Sequence, residues 1–133
     1  MVSKVVDVAV AVILDARQRI LIALRPDNSH QGGLWEFPGG KLEPGETVQQ
    51  ALVRELQEEL AIRAVCFKPL IEIYHDYGDK SVHLNVWQVD RFEGHAIGRE
   101  GQPLKWVQAS QLKEYCFPEA NKPIIKALLN NAE

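Results

Sequence analysis

The sequence predicts an α+β sandwich, an α/β layered fold with helices packed on a sheet. Three observations predict it. β-branched apolar runs occupy both halves of the chain, one strongly amphipathic segment lies between them, and a second helical pattern follows near the end. The 133 residues are one domain's worth, so residues 1–133 are expected to form a single domain. Apolar residues make up 46% and charged residues 25%, which excludes global disorder.

Residues 5–14 are apolar and β-branched almost throughout, as in a strand buried on both faces. Asp15 interrupts them, and 15–18 form a polar turn that leads Ile20 to Leu24 back as a hairpin partner. Residues 26–33 are loop by composition. Trp35-Glu36-Phe37 makes a short strand, stopped by Pro38-Gly39-Gly40. A loop runs from Lys41 to Glu46. Thr47 with Gln50 three residues on is a capping-box signature, and helical spacing holds from Val48 to Leu60. Long strands are predicted over 63–77 and 81–89, turning at Gly78-Asp79-Lys80. A polar loop (91–103), a short strand (104–107), one helical turn (110–115) and a helix (121–130) with Pro123 in its first turn complete the chain.

The formal net charge is −3, which argues against a nucleic-acid polymer as partner. No apolar run approaches the ~20 residues that span a bilayer, and the first apolar stretch, broken by Asp7, reads as a strand and not a leader. Cys66 and Cys116 are too few for a disulfide framework and are expected as reduced, partly buried thiols of a cytoplasmic protein. A monomer is expected. Trp35, Trp87 and Trp106 read as packing residues, and His30, His75, His83 and His95 lack metal-ligand spacing. Arg63 and Lys68 read as solvated strand-edge charges.

The central helix carries the chemistry. At about 100° per residue, Leu52, Val53, Leu56 and Leu60 form one apolar stripe. Glu55, Glu58 and Glu59, related as i, i+3 and i+4, share an adjoining face. At ~6 Å and an effective dielectric near 20, each carboxylate pair costs roughly 3 kcal/mol before screening. A solvated acidic face is one reading. The other is a site for a hard divalent cation, Mg²⁺ or Mn²⁺, since oxygen ligands without Cys or His disfavour zinc.

The segment GGKLEPGETVQQALVRELQEELAI (39–62) resembles the signature box of the Nudix hydrolases, G-x5-E-x7-R-E-U-x-E-E-x-G-U, with U bulky and aliphatic. Gly40, Glu46, Arg54, Glu55, Leu56, Glu58, Glu59 and Ile62 match; Ala61 stands where the family has glycine. That resemblance implies a helix–sheet–helix sandwich with a mixed central sheet and cleavage of nucleoside diphosphates linked to another group. It implies metal ligation by Glu55, Glu58, Glu59 and the backbone carbonyl of Gly39, and a Glu46–Arg54 salt bridge. Glu55 is the candidate general base.

The later segments RFEGHAIGREGQPLKWVQASQL and CFPEANKPIIKAL resemble the MutT-type branch of that family. By position, Glu100 is then a further metal-binding carboxylate, Asn121 reads an oxidised base, and Arg25 and Phe37 fall at nucleotide-site positions. Tyr77 is a candidate for the base pocket. Lys80-Ser81 depart from the Arg-His of the branch. The resemblance implies hydrolysis of 8-oxo-dGTP to 8-oxo-dGMP and pyrophosphate. N7–H of the oxidised base is a donor where guanine offers an acceptor, so a fixed acceptor such as the Phe37 carbonyl would favour it. ALRPDNSHQGGLWEF also resembles pyrimidine-nucleotide relatives, which leaves a CTP pyrophosphatase open. A catalytically inactive nucleotide-binding module is the third reading, though such modules lose box carboxylates and none is lost here.

Overall fold

The computed structural model describes residues 4–26 and 33–131. Strands β1 (Val5–Ile13), β2 (Ile20–Leu24), β3 (Trp35–Glu36) and β4 (Gly39–Lys41) precede helix α1 (Val48–Leu60). Strands β5 (Arg63–Asp76), β6 (Ser81–Glu93) and β7 (Leu104–Val107) follow it. Two 3₁₀ segments, Ala109–Glu114 and Glu119–Asn121, then lead into helix α2 (Lys122–Asn131).

The main sheet has the order β4-β1-β6-β5 and is mixed: β1 runs parallel to β6, and the other pairs are antiparallel. A second antiparallel sheet has the order β3-β2-β7. β1 supplies both cores by simple alternation. Val10 and Val12 join the cluster with Phe117, Ile124 and Leu128 on the α2 side. Ala9, Ala11 and Ile13 join Leu52, Leu56 and Leu60 on the α1 side. The predicted helix–sheet–helix sandwich is the observed one.

Several local expectations need correcting. The 15–18 turn forms, with the Asp15 carboxylate accepting from Arg17 and Arg19 N–H, but it does not make a hairpin. Only Leu14 bridges Ile20, and β2 moves into the second sheet. The first half of β1 is not buried on both faces: Val5 and Asp7 are exposed, while Val6 and Val8 line a cleft. Gly39-Gly40 does not end the sheet but begins β4 against Val10 and Ala9. β6 runs on to Glu93, and the helical pattern at 121 opens as a 3₁₀ turn. Both cysteines are exposed and free, not partly buried.

The capping box at Thr47 and Gln50 forms, with both reciprocal bonds present. α1 ends on Ala61 in the left-handed region (φ 58°), where its N–H reaches the Gln57 carbonyl at 3.1 Å. Val53 is partly buried beside the leucine stripe, and Gln50 and Gln57 face solvent. The tryptophans pack as expected: Trp35 edge-on to Tyr115, Trp87 to Phe67, and Trp106 stacked on Phe92. His83 lies between Asp7 (2.7 Å) and Glu72 (2.9 Å), and Arg63 pairs with Glu93. His30 lies outside the described residues. No helix among them is long and apolar enough to cross a membrane.

Candidate active site

Glu46 and Arg54 tie the loop before α1 to the helix. Arg54 Nε donates to Glu46 Oε2 at 2.6 Å, and Nη2 donates to Oε1 at 2.9 Å. This two-pronged geometry is the strong form of a guanidinium–carboxylate pair. The bonds from Arg54, followed by the Glu43 N–H, hold the Glu46 carboxyl down at about 2. Arg54 Nη2 also reaches the Lys41 carbonyl at 3.1 Å, so the loop is fixed at both ends. The remaining donor, Nη1, serves Glu55 at 2.8 Å and Glu58 at 3.3 Å.

Glu59 is placed differently. It is half-buried, and its Oε2 accepts from Gly39 N–H at 3.3 Å. Burial, then the charges of Glu55, Glu36 and Glu100, push its carboxyl up to about 8. Gly40 makes room for the Glu55 carboxylate, and Gly39 for the backbone of β1. A Cβ on Gly40 would stand 2.4 Å from the Glu55 carboxyl carbon, and one on Gly39 would stand 2.0 Å from the Ala9 carbonyl oxygen.

Glu100 reaches the cluster from the 94–103 loop, which is clipped to the end of α1. Ile97 N–H donates to Leu60 O and Arg99 N–H to Glu59 O, each at 3.0 Å. Gln102 completes the clip, donating to Glu59 O at 3.3 Å and accepting from Glu100 N–H at 2.9 Å. These bonds satisfy terminal helix carbonyls that otherwise lack partners. The same bonds set Glu100 opposite Glu59.

Two clefts meet here. One, of about 280 Å³, is walled by Glu36, Glu59 and Glu100, with Arg25 and Pro38. The other, of about 250 Å³, is largely apolar, with Val8, Val10, Val82 and Leu84 in its walls. It brings together Arg25, Phe37, Tyr77 and Asn121, four residues dispersed in the sequence, and adds Lys41 and Lys80. Phe37, in the lining of that cleft, is buried and stacked on Phe117 at 5.2 Å. Asn121 is not an N-cap: the helical run opens at Pro118, three residues earlier.

Glu55 and Glu58 line neither cleft; both are drawn to Arg54. Among the described residues no three metal-ligating side chains converge on one point. Mutual repulsion explains this, since Arg54 is the nearest compensating charge for two of the glutamates. The donor set nevertheless suits a hard dication: Glu59 lies in a partly buried place where the carboxylates of Glu55 and Glu100 act on it, and Glu36, tied to Arg25, adds its charge from outside that set. Gly40, bare of a Cβ against Glu55, leaves that carboxylate room to turn.

Sequence reasoning missed Glu36. Its Oε1 accepts from Arg25 Nη1 at 2.6 Å. Burial raises its carboxyl against the opposing pull of Arg25, and Glu100 raises it further. Glu36 sits in a two-residue strand eleven positions from Arg25, so no periodicity could have flagged the pair. Lys80 was legible only as a departure from a pattern, yet it lines the apolar cleft.

The chain matches the NUDIX domain family over residues 9–127. It is 40% identical to the 8-oxo-dGTP diphosphatase of Escherichia coli (strain K12) over 125 residues, 94% of this chain and 97% of that protein. It is 39% identical to the CTP pyrophosphohydrolase of the same organism over 120 residues, 90% and 89% of the two chains. A solved MutT structure, from a study of the Aliivibrio salmonicida and Vibrio cholerae proteins, superposes with a TM-score of 0.83 at 38% identity. That match covers 96% of this chain and 99% of the other. The family match over most of the chain, the identity to these relatives and the shared sandwich place the chain in the Nudix family as a MutT-like hydrolase.

Proposed function

We propose that this hydrolase converts 8-oxo-dGTP to 8-oxo-dGMP and pyrophosphate, with Mg²⁺ as the working ion and Mn²⁺ able to replace it. The observation that carries the reading is the junction of an apolar cleft bearing Asn121 with a carboxylate-walled cleft. A base in the first puts the phosphates of the same nucleotide in the second.

Glu55, Glu58, Glu59 and Glu100, with the backbone of Gly39, would hold the ion. When bound, it supplies positive charge to offset the phosphates and acidify water. Glu55, oriented by the Arg54 N–H at 2.8 Å, takes the proton of the attacking water. Attack at the β-phosphorus breaks its bond to the bridging oxygen, which leaves with the monophosphate. Asn121 offers an amide to the O6 edge of the base, and the Phe37 carbonyl accepts from N7–H. Arg54 and Glu46 position the helix and loop and touch no substrate.

A second reading rests on the near-equal identity to the CTP pyrophosphohydrolase. One panel tests both: pyrophosphate release from 8-oxo-dGTP, dGTP, CTP and 5-methyl-dCTP, for the wild type and Asn121→Ala. The expected result is a preference for 8-oxo-dGTP over dGTP well above tenfold. Asn121→Ala should compress it by roughly 10–100-fold, with the melting temperature held. A preference below tenfold, or CTP as the best substrate, would overturn the 8-oxo-dGTP assignment.

A further inference from the structure

We propose that Glu36 is a positioning residue for nucleotide binding, fixing the Arg25 guanidinium at the joint between the two clefts. The proposal rests on the nucleotide-hydrolase reading and adds a residue outside the signature box. Arg25 and Glu36 are the only side chains that line both clefts among the described residues. A nucleotide with its base in one cleft and its phosphates in the other has its sugar and α-phosphate at this joint. The chemistry that suits a phosphate there is a guanidinium held in one orientation.

The local fold is built to hold it. Arg25 follows the last residue of β2, and Glu36 ends β3, with Glu36 registered opposite Ala23. Across this pairing Arg25 and Glu36 meet at 2.6 Å. Arg25 N–H donates to Leu34 O at 2.8 Å and Gly33 N–H donates to Arg25 O at 3.2 Å, so the Arg25 backbone is bound on both sides. Pro38, two residues beyond Glu36, accepts from Ala11 N–H at 2.8 Å and anchors that end to β1. Arg25 and Glu36 are thus each carried on fixed backbone.

Stability alone does not account for the pair. Its members are 26% and 32% exposed, a range in which an ion pair adds little to folding. The pair also brings a carboxylate toward Glu59 and Glu100, which already repel. Placing Glu36 there works against the folded state and is accounted for by what it does to Arg25.

The test compares Glu36→Ala, Glu36→Gln, Glu36→Asp, Arg25→Ala and the Glu36→Ala/Arg25→Ala double variant. KM and kcat are measured on the best nucleotide of the panel. The Kd of 8-oxo-dGMP is measured by calorimetry in EDTA, so that one readout is independent of metal and turnover. Glu36→Ala is expected to raise KM and Kd about tenfold with kcat within about threefold of wild type. The double variant should be no worse than Arg25→Ala, because both remove one device. Glu36→Gln keeps an oxygen for Arg25 and should bind within about threefold of wild type. Glu36→Asp keeps the charge but shortens the reach, and should bind more weakly than Glu36→Gln. These two conservative variants decide the matter if Glu36→Ala does not fold. Unchanged KM and Kd, multiplicative effects in the double variant, or Glu36→Asp binding better than Glu36→Gln would overturn the proposal. A wild type that neither binds 8-oxo-dGMP nor cleaves any nucleotide of the panel overturns the nucleotide-hydrolase reading itself, and the proposal with it.

Discussion

Gly40→Ala and Gly39→Ala, adjacent substitutions of one methyl each, should fail in opposite ways. A Cβ at residue 40 would lie 2.4 Å from the Glu55 carboxyl carbon and 2.5 and 2.6 Å from its two oxygens. Ordinary contact begins near 3.4 Å, so the carboxylate must retreat by about 1 Å. The obstacle is the end of a flexible side chain, and retreat loosens its 2.8 Å bond to Arg54 Nη1. Arg54 keeps its two bonds to Glu46, so the stability loss should be about 1 kcal/mol. A misplacement of ~1 Å at a reacting group costs on the order of 100-fold in rate. At residue 39 the new Cβ would lie 2.0 Å from Ala9 O and 2.9 Å from Val10 Cα, both backbone atoms of the central strand. Here β4 must separate from β1, at a cost of about 3 kcal/mol or more. The assay is kcat at saturating nucleotide and Mg²⁺, read beside the melting temperature. Gly40→Ala should lose about 100-fold in kcat and only a few degrees; Gly39→Ala should melt about 10 °C lower or not fold. A Gly40→Ala enzyme with kcat within threefold of wild type would refute the assignment of Glu55 to the reaction.

Ala61→Gly should stabilise the protein by about 0.5–1 kcal/mol, since alanine at φ 58° carries left-handed strain that glycine lacks, less the greater freedom glycine has when unfolded. The melting temperature should rise by about 2–4 °C with kcat unchanged; a fall would show that the Ala61 methyl packs usefully. Acid stability should depend on Glu46. Its folded carboxyl is held at about 2, below the usual 4.5, so its contribution is whole above pH ~4.5 and disappears as pH falls toward 2. Unfolding titrations of wild type and Glu46→Gln should therefore differ most above pH 4.5 and converge below it; a constant offset across that range would exclude the linkage.

The helix that carries the box was legible because its signals agree. The cap at Thr47, the stripe through Leu52, Leu56 and Leu60, and the glutamates on the adjoining face all follow from spacing within one element. The partner of β2 was not legible. Ile20 to Leu24 has the pattern of a hairpin strand, but the choice between pairing with β1 and pairing with β7 is made by contacts 81 to 87 residues away in the sequence. β4 was unreadable for a different reason: two glycines carry no strand propensity, and what keeps them bare of a Cβ is remote in the sequence, the Ala9 and Val10 backbone at Gly39 and the Glu55 carboxylate at Gly40. Asn121 is expected at the base site by resemblance alone, and only the fold brings it beside Phe37 and Tyr77 in the lining of the apolar cleft. Glu36 left no mark in the sequence at all, because its meaning lies in a contact with Arg25 across β2 and β3.

The box glutamates are not one cluster physically. Glu46 and Arg54 satisfy each other, and Arg54 extends to Glu55 and Glu58, so this half of the motif is locally stabilising and would serve any loop–helix junction. Glu59 is the opposite case. Its described polar partner is a single long bond from Gly39, while Glu36, Glu55 and Glu100 all raise the cost of its charge. A chain selected only to fold would not bring charges from β3, α1 and the 94–103 loop to bear on one half-buried carboxylate, nor clip that loop to the Gln57, Glu59 and Leu60 carbonyls of α1. Consistency between local and global preferences is the rule in folded proteins, and it breaks where function needs it to. By that criterion we propose that the chemistry sits beside Glu59 and Glu100, with the Glu46–Arg54 pair bracing the loop against the helix that carries Glu59.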